Sequence, residues 1–192
     1  MVLELKSAAF AQLTEQDNSI CWNIMVYIVY GYELMGGDGM DKIKQAQING
    51  FLQAFALLNL HANHGYTFQW NELEYHDDIL TAFTYSFNLE GDKNLGEVRL
   101  IPLDDWKAKL EKTCDDWFFE IGYPYHQFDS SVKFDPKYCI NGFIPLLSDF
   151  FEGNLMVYKV ECQPNFWYEA IWDDYIFYSN KRLFLLHFGV SD

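Results

Sequence analysis

Basic residues, and arginine above all, are scarce in this chain of 192 residues. It has 13 Lys and Arg residues against 28 Asp and Glu residues, and its only arginines are Arg99 and Arg182. Phosphate recognition favours guanidinium groups, and a net charge of −15 repels a polyanion. We therefore expect no direct binding of nucleic acid, and we expect any macromolecular partner to be basic. The imbalance is greatest in residues 63–192, which contain 22 acids and ten bases.

Long apolar runs are also absent. The longest, Ile24 to Tyr30, is far shorter than the roughly 20 residues that a membrane-spanning helix needs. Near the N-terminus, Glu4 and Gln12 interrupt the stretch that a signal peptide would require to be apolar. These features predict a cytoplasmic protein without a membrane segment.

The sequence lacks the motifs of common catalytic sites. Its cysteines are scattered, without the paired spacing of a zinc site or a redox dithiol: Cys21, Cys114, Cys139 and Cys162. No glycine-rich phosphate loop follows a predicted strand, and no G-x-S-x-G elbow occurs. We expect reduced thiols, and we predict no catalytic residue, cofactor or metal.

Apolar and aromatic residues are plentiful, since they make up 50% and 19% of the chain. Helical periodicity predicts helices over about 18–32 and 41–63, the second ending at Gly65. Asn71 and Glu74 resemble a capping box for a third helix, and Pro102 precedes a fourth. Residues 122–141 show no clean period and are predicted to be loop with one short strand.

The last fifty residues have a different character, because they are rich in aromatic and β-branched residues separated by turn formers. Strands are predicted over 155–160, 166–178 and 182–190, as is a short one over 97–101. Ser179-Asn180-Lys181 can close a hairpin between the last two. The order predicts a single acidic α+β domain over residues 1–192, with N-terminal helices packed on a C-terminal antiparallel sheet.

The pair Asp173-Asp174 interrupts an apolar strand, so at least one of its carboxylates is expected to point inward. In a structural role, its partners could be Arg182 or Lys181 across the hairpin, or backbone donors at a bulge. The alternative is a contact with a partner, since Tyr and Trp beside carboxylates are typical of interfaces that meet Lys and Arg. The candidate partner-binding residues are Glu169, Trp172, Asp173, Asp174, Tyr175 and Tyr178.

Two other functions are compatible with the sequence. A small metal-dependent enzyme could use His61, His64 or His76 with nearby carboxylates, although the HExxH spacing is absent. An acidic mimic of nucleic acid would need regularly spaced surface carboxylates. Three lysines, Lys107, Lys109 and Lys112, interrupt the array that best fits that pattern.

The C-terminal segment WYEAIWDDYIFYSNKRLFLLHFGVSD resembles the ending of small bacterial immunity proteins, including those of contact-dependent growth inhibition systems. The likeness covers 167–192 and consists of a strand-Asp-Asp-strand-turn-strand pattern and a final HFG. It implies a noncatalytic cytoplasmic protein that blocks a basic toxin, frequently a nuclease, by covering its active site or substrate groove. It assigns no functional residue.

Overall fold

The computed structural model describes residues 37–59, 65–120, 137–151 and 153–191. The helix predicted over 18–32, and residues 122–136 of the predicted loop, lie outside these ranges. The described helices are α1 (Gly37–Asn59), α2 (Ile79–Ser86), α3 (Trp106–Asp115) and α4 (Lys137–Phe150), with a π-helical turn (Asp116–Glu120) after α3. The strands are β1 (Gly65–Leu73), β2 (Arg99–Pro102), β3 (Met156–Glu161), β4 (Ile171–Ser179) and β5 (Arg182–Ser191).

The five strands form one antiparallel sheet in the order β1-β5-β4-β3-β2. The α+β class is therefore confirmed, as are the three strands predicted near the C-terminus. None of the described helices has both the length and the apolar character that crossing a membrane requires.

The β4–β5 hairpin forms the centre of the sheet. Asn180 and Lys181 both have positive φ, 52° and 63°, as a two-residue type I′ turn requires, and Ser179 pairs with Arg182 across it. Eight consecutive residues of β5, from Leu183 to Val190, are buried. A strand shows no apolar alternation when both of its faces are covered, and this accounts for its continuous apolar sequence.

Each face of the sheet has its own apolar cluster. The larger includes Phe177 and Phe184 and packs against α1, α3, the π-helical turn and α4. The smaller, on the opposite face, includes Ile176, Leu185 and Phe83 of α2. Among the described helices, the short α2 covers part of the face that lies away from the larger helical layer.

Strand β1 differs from the sequence prediction, which placed the end of one helix at Gly65 and the start of another near Asn71. Gly65 instead begins a strand whose side chains alternate, with Phe68 and Trp70 buried in the larger cluster. The next helix begins only after Asp78, whose carboxylate accepts the Thr81 amide hydrogen at 2.8 Å. The predicted capping box was therefore wrong, because Asn71 belongs to the strand.

Helix α4 was also missed, because its sequence contains Asn141, Gly142 and Pro145. Its stability comes from burial rather than propensity, since Phe143 and Leu147 are completely inaccessible. Pro102, predicted to open a helix, ends β2, and α3 begins four residues later. Tertiary packing thus determines where these helices and strands begin and end, because the local sequence signals are weak.

Arg182 joins three elements at the turn end of β5. Its guanidinium binds both carboxylate oxygens of Glu72 on β1, at 2.7 and 3.0 Å, and also pairs with Asp41 on α1. It lies 5.0 Å from the ring centroid of Phe184. The hydrogen bonds to Glu72, and the one to Asp41, raise the pKa of Arg182. Arg182 therefore does not neutralise Asp173 or Asp174, as the sequence had suggested.

The outer edge of β1 is closed by a side chain. Asn49 of α1 donates from Nδ2 to the Trp70 carbonyl at 2.8 Å and accepts the Trp70 amide hydrogen at 3.0 Å. Its amide group thereby replaces one residue of a neighbouring strand. This contact satisfies two backbone groups that would otherwise be unpaired at a sheet edge.

We predict that Asn49→Ala lowers the free energy of unfolding by about 2 kcal/mol, because both Trp70 backbone groups lose their partner in a buried position. The higher helix propensity of alanine offsets only about 0.5 kcal/mol. Asn71→Ala is the matched control, since Asn71 is exposed and its side chain bonds to Gln69. Urea denaturation measures the free energy of unfolding of both variants, and an unchanged m-value shows that the comparison is valid. Equal stability of the two variants would contradict the role of Asn49 at the sheet edge.

Candidate functional site

The six candidate residues in and near β4 do not form one surface. Alternate residues of β4 face opposite sides of the sheet, so Asp173 and Tyr175 lie on one side and Asp174 on the other. Asp174 and Tyr175 are buried, at 0% and 3% exposure. These two therefore expose almost no surface to a partner.

Asp173 and Tyr175 connect the sheet to the helical layer through hydrogen bonds. Asp173 accepts a hydrogen bond from Trp117 Nε1 at 2.9 Å and pairs with Lys159 Nζ at 2.6 Å. The Tyr175 hydroxyl lies 2.8 Å from Thr113 Oγ1 on α3. Burial is the largest single effect and lowers the pKa of Lys159, but the hydrogen bond to Asp173 and the nearby negative charges together raise it. The contacts of both residues are thus internal.

Asp174 lies in a buried polar cluster on the opposite face. Its Oδ1 lies 2.7 Å from Nδ1 of His187, the residue paired with it on β5. An ionised carboxylate can only accept, so Nδ1 of His187 carries the proton of this bond. Tyr168 donates to Asp174 Oδ2 at 3.1 Å. The structural role considered for Asp174 is therefore fulfilled by His187 and Tyr168 rather than by Arg182 or Lys181.

Glu169 approaches the other side of the same imidazole. Its Oε1 lies 3.8 Å from His187 Nε2, and its side chain is 11% exposed. Gly189 provides the room, because a β-carbon there would lie 2.5 Å from His187 Nε2 and 2.9 Å from Glu169 Cγ. Only glycine allows this histidine and this glutamate to share the space. The HFG sequence at 187–189 thus has a packing explanation.

The groups around Asp174 are not poised for chemistry. Burial, followed by the charge of Asp174, raises the pKa of the Cys162 thiol to about 11. The same two causes raise the pKa of Tyr168. Both groups therefore stay protonated near neutral pH, and Cys162 is a poor nucleophile. His187 is only 5% exposed, which closes the cluster to a substrate.

A metal site is not evident in the described ranges, where no three His, Cys, Asp or Glu side chains are grouped to hold an ion. His61 and His64 lie outside these ranges. The ring of His76 packs against Tyr85 with centroids 4.5 Å apart. The contacts of His76 therefore give no support to the alternative of a metal-dependent enzyme.

The exposed carboxylates concentrate outside the hairpin, in residues 72–98, which we call the acidic segment. It has seven acids and one base, Lys93, and every one of these charged side chains is exposed. The acids are Glu72, Glu74, Asp77, Asp78, Glu90, Asp92 and Glu97. Counting charge along the sequence in shorter windows would have found this segment.

Exposed apolar side chains lie within the acidic segment. Tyr85 is 64% exposed and Leu80 40% exposed, although both are on α2. Tyr75, at 37% exposure, stacks on Tyr178 with ring centroids 5.7 Å apart. Of the six candidate residues, Tyr178 therefore connects β4 to this surface.

A groove of about 520 Å³ opens beside α2. Its lining comes from α2 (Leu80, Thr84 and Tyr85) and from the loop that follows it (Asn88, Leu89, Lys93, Asn94, Leu95, Gly96 and Val98). Helix α2 is short and buries Ala82 and Phe83, which leaves Leu80 at the groove.

No family model, curated protein or solved structure matches this chain. The toxin-immunity resemblance is therefore a hypothesis that rests on residues 167–192 alone.

We predict that Asp174→Ala lowers the free energy of unfolding by about 3 kcal/mol, because it leaves His187 and Tyr168 buried without their shared acceptor. Asp174→Asn should lose less, since an amide oxygen can still accept one of the two hydrogen bonds.

Asp115→Ala is the control, because Asp115 is exposed at the end of α3 and should change stability by less than about 0.5 kcal/mol. Thermal and urea unfolding compare the three variants. If Asp174→Ala were as stable as Asp115→Ala, the polar cluster would not contribute to the fold.

Proposed function

We propose that this protein is a cytoplasmic inhibitor of the immunity type, which binds and neutralises a basic toxin domain, with a nuclease as the expected class. The observation that carries the proposal is the acidic segment, where seven exposed carboxylates share 27 residues of sequence with exposed tyrosine and leucine side chains. This surface differs from the β4 residues suggested by sequence, of which Asp174 and Tyr175 are buried.

The charge distribution supports a basic partner. Residues 72–98 have a formal net charge of −6, from seven acids and one base, within a chain of net charge −15. Arg182, outside the segment, pairs with Glu72, which leaves six of these acids outside that ion pair. Such a field accelerates association with a cationic surface by roughly 10- to 1000-fold at low salt. It repels nucleic acid and other anions, so a nuclease groove that binds phosphate is the complementary surface.

The exposed apolar side chains support a lasting complex rather than a transient encounter. Tyrosine is enriched among residues that dominate binding energy, and these are surrounded by polar groups that exclude water. Tyr85 and Leu80 occupy such a position, with Asp77 and Asp78 at the start of the same helix. Rapid capture followed by slow release is what neutralising a toxin requires.

The buried polar cluster supports a binding function more than a catalytic one. His187 and Asp174 form the kind of pair that catalytic sites use, but they are 5% and 0% exposed. Their hydrogen bonds stabilise the two-sided sheet. The side chains of His187 and Asp174 thus have a structural role.

We predict that the gene immediately upstream encodes a large secreted protein whose C-terminal domain is the toxin. That purified domain should bind this chain with nanomolar or tighter affinity. Its association rate should fall at least about tenfold between 50 and 500 mM NaCl, because salt screens the acidic field, while its dissociation rate changes little.

Stopped-flow or surface plasmon resonance measurements at several salt concentrations provide both rates. An uncharged osmolyte at matched osmolality is the control for solvent effects. Absence of binding, or an association rate independent of salt, would contradict the proposed function.

A further inference from the structure

The groove beside α2 is built into the fold rather than formed by a loose loop. Leu95 is 2% exposed and belongs to the smaller apolar cluster, so it anchors the loop that faces α2. Its carbonyl accepts the Gln163 amide hydrogen at 3.0 Å. The far wall of the groove is therefore attached to the segment that leads into β4.

Two asparagines fix the same loop. Asn165 Oδ1 accepts the Asn94 amide hydrogen at 2.7 Å, and Asn165 Nδ2 donates to the Asp92 carbonyl at 2.9 Å. Asn94 Oδ1 accepts the Gly96 amide hydrogen at 3.0 Å. Gly96 has φ of 67°, and a β-carbon there would lie 2.5 Å from the Gln163 carbonyl oxygen. A groove held in this way loses little entropy when it is filled.

The inside and the rim of the groove differ in charge. The lining has five apolar or aromatic side chains (Leu80, Tyr85, Leu89, Leu95 and Val98), three uncharged polar ones (Thr84, Asn88 and Asn94), and the charged side chain of Lys93. A lysine or arginine of a partner would therefore meet a like charge inside. An apolar side chain would not, and it would bury Leu80 and Tyr85.

The rim of the groove, in contrast, favours basic side chains of a partner. Three exposed acids, Glu90, Asp92 and Glu97, alternate with lining residues along the loop, and Asp77 and Asp78 precede Leu80 on the other side. Bases placed around the inserted side chain would meet carboxylates on both sides. This is the usual arrangement of an interface, with an apolar centre and a polar rim.

We propose that the groove beside α2 receives one apolar side chain of the toxin domain, flanked in that partner by lysine or arginine residues. This inference rests on the proposed function, and it names the place and the chemistry of the contact. Tyr85 supplies the largest exposed apolar surface at the groove, and the acidic rim supplies the complementary charge.

The test measures binding of the purified upstream-encoded C-terminal domain to the full chain and to variants of the groove. Tyr85→Ala removes a wall, and Thr84→Trp fills the groove from an exposed position on α2. Each should raise the dissociation rate at least about tenfold, as expected for loss of a central contact. Tyr138→Ala is the control, since Tyr138 is 76% exposed on α4 and should leave the rate unchanged.

The rim is tested separately by the double variant Glu90→Gln with Glu97→Gln. It should slow association at low salt more than Asp104→Asn with Glu111→Gln, which neutralises two exposed acids near and on α3. Thermal unfolding of every variant shows whether the fold is retained. Both double variants remove two negative charges, so a difference between their association rates shows that the position of the charges matters.

The outcomes separate the two proposals. If the wild-type chain binds but Tyr85→Ala and Thr84→Trp bind equally well, the groove inference is overturned and the proposed function stands. If the wild-type chain does not bind the toxin domain, the proposed function fails, and the groove inference fails with it.

Discussion

Burial of the β4–β5 hairpin on both faces is the constraint on which the rest of the described fold depends. Phe177 and Phe184 require the larger helical layer on one side, whereas Ile176 and Leu185 require cover on the other. The second cover comes from α2 and the loop after it, which together form a thin layer. A thin layer cannot bury all of its own apolar side chains, so Leu80 and Tyr85 remain exposed. The candidate interface is thus a consequence of how the second face is covered.

Because both faces of the hairpin are buried, the carboxylates of β4 need partners inside the protein. Asp173 and Asp174 point to opposite faces, and each has partners inside the protein: Trp117 and Lys159 for Asp173, His187 and Tyr168 for Asp174. An unpaired charge in either place would cost several kcal/mol, so these pairs are needed for the hairpin to fold as it does. Carboxylates available to a partner therefore lie where the chain is exposed, and the acidic segment combines seven exposed acids with a single base.

The sequence predicted the α+β class, the antiparallel C-terminal strands and the hairpin turn, because continuous aromatic and β-branched runs separated by Ser179-Asn180-Lys181 have few other solutions. It did not predict β1, whose residues pair with β5 over a separation of more than 100 positions, a contact that no local pattern reports. It did not predict α4 either, because packing overrides Gly142 and Pro145. For the site, sequence identified Asp173-Asp174 as unusual but not their partners. His187 was overlooked as one polar residue in an apolar strand, although its position opposite Asp174 follows once the hairpin register is known.

Hydrogen–deuterium exchange of the chain, alone and bound to the upstream-encoded toxin domain, tests the central claim most directly. We expect binding to slow exchange in residues 75–98, where α2 and the groove loop are exposed. Amides of β4 and β5 should already exchange slowly in the free chain and should change little, because both faces of these strands are buried. New protection in β4 and β5 without protection in residues 75–98 would contradict the account, since it would place the interface on the hairpin.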